Sequence, residues 1–242
     1  MNKIAAILIV GLLAAPAMAD PWPPPSPYTP YLAGDFNGWT SNGTTMTETS
    51  PGSNIWTASI SSLGANGRHE FKVTDGTWNY NFPGPNSWLY ADASGNISVT
   101  YDGNTYADGW SPTMFRIGEN ADPAAGFTAV GDWQHFLGDG DWNNANPFTA
   151  MAPQGNGVYM LQAVIPAGNW NWKAVATGTW DSISWDNRSV NTANWGFTTD
   201  AVNNMVTFWV NNLAGTVKID ITPEPATLAL MLIGGLALLR RR

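Results

Sequence analysis

The 242-residue chain contains no cysteine. No disulfide and no thiolate-held metal can form, so the fold rests on packing and hydrogen bonding alone, even in an oxidising compartment. Histidine is nearly missing: His69 and His135 are the only two, with no His-x-x-x-His spacing. That argues against a histidine-held metal or a Ser-His-Asp triad. Charged residues make up only 12% of the chain, no amphipathic helical pattern stands out, and no Gly-rich phosphate loop is present. What is abundant is tryptophan (14), glycine (25) and proline (17). That profile suits short strands joined by tight turns and disfavours long helices.

Both ends read as targeting segments. Lys3 supplies a positive start, Ile4 to Leu13 an apolar run, and Ala17-Met18-Ala19 a small-residue cleavage site, which places the mature start at Asp20. At the other end Pro223-Glu224-Pro225 precedes the uncharged run Ala226 to Leu239 and then Arg240-Arg241-Arg242. The run is shorter than the ~20 residues of a permanent span, and the arginines would stay cytoplasmic. A plain membrane anchor is the alternative reading. Without Lys3 and the three terminal arginines, six basic residues face 18 acids, a net charge near −12. Such a surface repels phosphate backbones, which argues against nucleic acid and leaves neutral glycans open.

Residues 20–30 are a proline-rich stretch that reads as a stiff spacer. Short strands are expected from Tyr31 to Phe36, Ile55 to Ile60, Arg68 to Thr74 and Ile97 to Tyr101, with turns at Asn37-Gly38 and Asp75-Gly76 and a Pro/Gly loop over 81–86. Within Arg68–Thr74, alternation puts Phe71 inward and Lys72 outward. Residues 111–126 read as a looser connection. Then the pattern recurs about 100 residues later. Thr128-Ala129-Val130-Gly131-Asp132-Trp133 parallels Tyr31-Leu32-Ala33-Gly34-Asp35-Phe36, Trp172-Lys173 parallels Phe71-Lys72, Thr177-Gly178-Thr179-Trp180 parallels Asp75-Gly76-Thr77-Trp78, and Val206 to Val210 parallels Ile97 to Tyr101. This is a duplicated domain, each copy large enough for one modest core.

One tryptophan or one lysine alone would read as core filler or a solvated charge. Indoles and an ammonium recurring together suit a sugar, whose C–H face lies on an indole while its hydroxyls accept from a lysine. The sequence Gly-x-Phe-Asn-x-Trp, then an aromatic-Lys pair, then Asp-Gly-x-Trp, resembles the family 48 carbohydrate-binding modules, which include glycogen-binding domains and N-terminal modules of pullulanases. The resemblance implies that Trp39, Lys72 and Trp78 hold an α-1,4-glucan in copy 1, helped by Asn96. In copy 2 the first turn is lengthened and is similar to modules that precede pullulanase catalytic domains. Lys173 and Trp180 match there, and the first indole is Trp133 or Trp142, with Trp142 preferred because it ends the turn. The lengthened turn makes copy 1 the expected principal binder. The C-terminal signal resembles the PEP-CTERM protein-sorting segment, also labelled an ice-binding protein C-terminal domain. It implies an exosortase-like processing enzyme, transient inner-membrane anchoring, and delivery to the surface or extracellular matrix of a Gram-negative-type bacterium.

Asp139-x-Asp141-x-Asn143 matches only the start of a Ca²⁺ loop, since Asn144 stands where glycine is needed and Ala150 where glutamate is needed; it reads as an acidic surface turn, and no metal or cofactor is expected. Acid pairs for glycoside hydrolysis are possible by count, but no length remains for a catalytic barrel. The expected fold is therefore all-β: two tandem immunoglobulin-like (early-set type) β-sandwiches, with an N-terminal signal peptide and a C-terminal hydrophobic sorting helix. The divisions are 1–19 signal, 20–30 spacer, 31–110 copy 1, 111–126 linker, 127–221 copy 2 and 222–242 sorting signal. The expected function is non-catalytic glycan binding, and the rival is a structural matrix protein whose sandwiches bind no sugar.

Overall fold

Period-2 alternation and closely spaced turns give an almost purely extended chain. The computed structural model describes residues 22–224, so the signal peptide and Pro225, the apolar run and Arg240, Arg241 and Arg242 lie outside the described residues. In copy 1 the strands are β1 (Tyr31–Gly34), β2 (Thr44–Thr45), β3 (Thr47–Glu48), β4 (Ile55–Ile60), β5 (Arg68–Thr74), β6 (Asn81–Tyr90), β7 (Ile97–Thr105) and β8 (Met114–Glu119). In copy 2 they are β9 (Phe127–Gly131), β10 (Ala152–Gly155), β11 (Val158–Val164), β12 (Gly168–Ala176), β13 (Asp181–Ile183), β14 (Arg188–Val190), β15 (Trp195–Thr199), β16 (Asn203–Asn211) and β17 (Thr216–Pro223). Two short 3-10 turns, Asp35–Asn37 and Gln134–Leu137, follow β1 and β9. Among the described residues no helix is long and apolar enough to cross a membrane.

The strands form four antiparallel sheets, two per copy. In copy 1 the orders are β2-β1-β5-β6 and β3-β4-β7-β8; in copy 2 they are β14-β13-β12-β15, with β9 also on β12, and β10-β11-β16-β17. The repeat is visible in register: Ala33 pairs with Lys72 and Gly34 with Phe71, as Val130 pairs with Lys173 and Gly131 with Trp172. Each copy draws its core from both of its sheets. Leu32, Phe71, Val73, Val99, Tyr101 and Ile117 meet in copy 1; Ala129, Trp133, Trp172, Val206, Phe208 and Val210 meet in copy 2.

Three expectations need correction. Residues 111–126 are more than a linker, because they contain β8, which pairs with β7 and completes a sheet of copy 1. Residues 22–30 are no free spacer: Trp22 packs on the copy 1 core and its Nε1 donates to the Tyr101 hydroxyl at 2.8 Å. The 81–86 loop is absorbed into β6, with a register break between the Phe71–Ser87 and Val73–Phe82 pairs.

The copies are also locked together. Trp88 of β6 is fully buried in the core of copy 2, where its Nε1 donates to Ser182 O at 3.0 Å. Arg188 of β14 stacks on that indole at 3.9 Å, donates to Trp88 O and pairs with Glu119 of β8. Nearby, Arg68 makes a two-pronged pair with Asp181, both contacts at 2.5 Å, and Tyr90 donates to the same carboxylate. Burial pushes Glu119 up to about 7, with the Arg188 charge pulling the other way.

Candidate glycan-binding site

The turn that carries the first indole is built alike in both copies. A Cβ on Gly34 would lie 2.5 Å from the Phe36 ring, and one on Gly131 only 2.2 Å from Trp133 Nε1 and 2.3 Å from Asn171 O, so glycine is required where the following aromatic folds back. Asp35 accepts from the Glu70 amide at 3.1 Å and Asp132 from the Asn171 amide at 2.8 Å, tying each turn to its central strand. Asn37 accepts from Gly34 N and donates to Leu32 O; Gln134 accepts from Gly131 N and donates to Ala129 O. Each turn ends on a tryptophan with positive φ, +60° at Trp39 and +54° at Trp142, whose N–H donates to the opening glycine carbonyl at 2.8 and 3.1 Å. Bulky side chains seldom adopt that region, which costs ~1–3 kcal/mol and marks positions worth explaining by function.

Trp142 is therefore the structural counterpart of Trp39. Trp133 corresponds to Phe36: it is fully buried and stacked on Phe208 at 4.7 Å, unable to meet a ligand. The second indoles, Trp78 and Trp180, follow glycines of positive φ and are each 43% exposed.

The two lysines sit where the neighbouring strand leaves the sheet. In copy 1 the chain between Phe82 and Ser87 bulges by four residues, and Lys72 donates to the carbonyls of Pro83 (2.6 Å) and Gly84. The expectation that Lys72 points freely to solvent is corrected: it is half-buried, and burial lowers its pKa. In copy 2 the corresponding excursion runs from Ser184 to Asn194, eleven residues between Ile183 and Trp195. It contains β14 and returns past Lys173, which donates to Asn191 Oδ1 and Thr192 O, both at 3.0 Å. Lys173 is only 4% exposed and its Nζ lies 5.6 Å from the Trp180 ring centroid. Burial lowers its pKa while the Asp186 carboxylate opposes that.

In copy 2 these groups converge. Trp142, Lys173, Trp180, Asn191 and Asn194 line one open depression of about 500 Å³. An ammonium has three donors, so Lys173 retains one after its two protein bonds. Among the described residues the Nδ2 of Asn191 has no partner. Two indole surfaces bordered by a cation and two amides can hold a flat, hydroxylated, uncharged ring. In copy 1, Trp39 is half-buried beside the turn that carries Trp78, since Ser41 Oγ donates to Gly76 O at 3.0 Å. Asn96 is not brought to this group. It lies in the turn after β6, bonded to Asp92, at the opposite end of β5 from Trp78. Asn191 and Asn194 escaped the sequence reading. Their trace was a spacing: 18 residues lie between Trp78 and Ile97, whereas 25 lie between Trp180 and Val206.

The acids of the lengthened turn are occupied locally. Asp139 accepts from Asn143 Nδ2 at 2.7 Å and Asp141 from the His135 amide at 3.0 Å. Pro223 is the last residue of β17, paired with Asn203, and Glu224 follows it.

One comparison with known proteins falls on the same half of the chain. The pullulanase X25 domain family matches residues 126–217, which is copy 2. A curated relative, the amylopullulanase of Thermoanaerobacter thermohydrosulfuricus, is 33% identical over 75 residues, covering 30% of this chain and 5% of the relative's own length. Among solved structures, SusF from Bacteroides thetaiotaomicron aligns at 15% identity and a TM-score of 0.33, over 84% of this chain and 50% of that one. The pullulanase from Bacillus acidopullulyticus aligns at 14% identity and 0.28, over 81% and 28%.

Proposed function

We propose that this chain is a non-catalytic carbohydrate-binding protein whose principal site is the Trp142–Lys173–Trp180 depression, and that its ligand is a linear α-1,4-glucan of the starch or glycogen type. The observation that carries this reading is the convergence of two indoles, one ammonium and two amides in one open depression. The acidic surface favours a neutral polymer, and the pullulanase names of the matching family and relative fit an α-glucan. Each pair of sheets is read as an immunoglobulin-like sandwich of the early-set type. In this reading the expected order of the copies is reversed, because Trp142, Lys173 and Trp180 share one depression with two amides and the family match falls on copy 2; each lysine makes two protein bonds, so the lysines do not distinguish the copies. Copy 1, with Trp78 exposed and Trp39 half-buried, serves as a secondary site or as a scaffold.

Affinity electrophoresis of residues 20–224 in gels with and without glycogen tests this. Retardation is expected for the wild type and for a Trp39→Ala/Trp78→Ala double variant, and its loss for a Trp142→Ala/Trp180→Ala variant. A wild-type protein that migrates identically in both gels would leave the matrix reading in its place. The terminal segments support the further reading that the protein is exported through the inner membrane and sorted to the cell surface by an exosortase-like enzyme.

A further inference from the structure

Of the 14 tryptophans, all within the described residues, only Trp78, Trp180 and Trp185 are exposed. The first two are the outward indoles of the repeated motif. Trp185, the most exposed at 48%, belongs to no repeat and has no counterpart in copy 1, because it lies in the eleven-residue excursion. It is not part of the copy 2 core. Its Nε1 donates to Asn194 O at 3.2 Å, and Asn194 lines the depression. The edge of this indole is thus pinned to the rim of the site.

The segment that carries it is firmly held. Ser184 N donates to Asn187 O at 3.0 Å, and Asp186 accepts from the amides of Asn187 at 2.9 Å and Ala193 at 3.4 Å. At its base, fully buried Arg188 is clamped to Glu119 and to Trp88 O. An exposed aromatic on a fixed hairpin is already ordered before a ligand arrives, so binding loses little conformational freedom there.

We propose that Trp185 is a third sugar platform, reached by a glucan chain that leaves the depression past Asn194, and that it makes the site selective for chain length. This rests on the α-glucan reading above. A short oligosaccharide fills only the Trp142–Trp180 depression; a longer one also covers Trp185. Nothing in the hydrogen-bonding of Trp185 competes with this, since Nε1 faces the Asn194 carbonyl and leaves the ring surface to the ligand.

Calorimetry with maltotriose and maltoheptaose separates the possibilities, using the full mature chain and its Trp185→Ala, Trp185→Phe and Trp180→Ala variants. Trp185→Ala is expected to weaken maltoheptaose binding about tenfold, with maltotriose held within about twofold and the melting temperature unchanged. Trp185→Phe, which keeps a flat ring, should recover most of the loss. If Trp185→Ala alters neither ligand while Trp180→Ala abolishes both, the third platform is wrong and the α-glucan site stands. If Trp185→Ala weakens both ligands equally, Trp185 supports the depression and does not read length, which also overturns the proposal. If the wild type binds neither sugar, the α-glucan reading itself falls.

Discussion

Trp180→Ala tests the site where the structure permits a magnitude. An indole offers up to ~250 Å² of surface, and Trp180 is 43% exposed, so on the order of 100 Å² faces outward. A pyranose ring stacked there covers about half of that and buries a similar area of its own C–H face. At ~25 cal/mol per Å² the ~100 Å² removed from water stabilises the complex by about 2.5 kcal/mol, or roughly seventyfold in Kd. Stability should change little, since the side chain lies outside the copy 2 core and its cation–π contact with Lys173, 5.6 Å away, contributes about 0.5–1 kcal/mol. Lys173→Met should weaken binding by a comparable or smaller amount and, unlike Trp180→Ala, should also weaken the fold. The sugar loses one hydrogen bond, a net ~1–3 kcal/mol at most, while the buried carbonyl of Thr192 and the Oδ1 of Asn191 lose their donor, costing ~1–3 kcal/mol of fold stability for the buried group. Titration calorimetry with maltoheptaose and urea unfolding, run on both variants, would separate the two, the unfolding midpoint falling only for Lys173→Met. A folded Trp180→Ala protein that binds within threefold of wild type would refute the stacking argument.

Two further expectations concern the interface and the C-terminus. Glu119 is raised by burial from 4.5 to about 7, so the folded state holds its proton more tightly than the unfolded one; the stability this contributes is full below pH 4.5 and is lost as pH rises through 7. Urea midpoints of the wild type should fall between pH 5 and pH 8, and Glu119→Gln should flatten that slope; equal slopes in the two proteins would contradict it. For sorting, the intact mass of the surface-released protein should lack residues 226–242 while retaining Pro223, because Pro223 closes the β16–β17 ladder opposite Asn203. A full-length mass at the surface would leave only a simple anchor.

What was legible in the sequence was what local chemistry decides. The bounds of β4 and β5 follow from alternation, and the counterpart of Trp39 could be placed at Trp142 because a lengthened turn still has to end beside its opening glycine. The same turn explains Gly34 and Gly131, and why Asn37 and Gln134 do equivalent work with side chains of different length. The all-β content was legible for the same reason: turns and alternation are short-range. Asn191, Asn194 and Trp185 were hidden because their meaning depends on where a bulge returns, and that is fixed by strand pairing across the sheet. The freedom expected for Lys72 failed likewise: alternation put it on the outer face, but the four-residue bulge opposite folds its carbonyls over the ammonium.

The joint between the copies was the least visible feature, and it bears directly on the site. Arg188 and Glu119 are isolated charges in the sequence, 69 positions apart, and neither falls in a motif. Yet the excursion that carries Arg188 inward to Trp88 and Glu119 also carries Asn191 back to Lys173. Burying an ion pair is costly unless its remaining hydrogen bonds are satisfied. Here each guanidinium nitrogen and each carboxylate oxygen has a partner: Arg188 donates to Trp88 O, Asn212 O and Glu119, and Glu119 also accepts from Tyr90 N. Such a pair fixes register more than it adds stability, because a slip would strand either charge in an apolar setting. The strand so fixed, β14, leads directly into Asn191, which lines the depression. Copy 2 also takes Trp88 of copy 1 as a core residue, so removing copy 1 would open a cavity beside the root of that strand. The two motif copies are therefore unequal: copy 1 keeps the shorter bulge and supplies the buttress, and the longer excursion of copy 2 lines the depression.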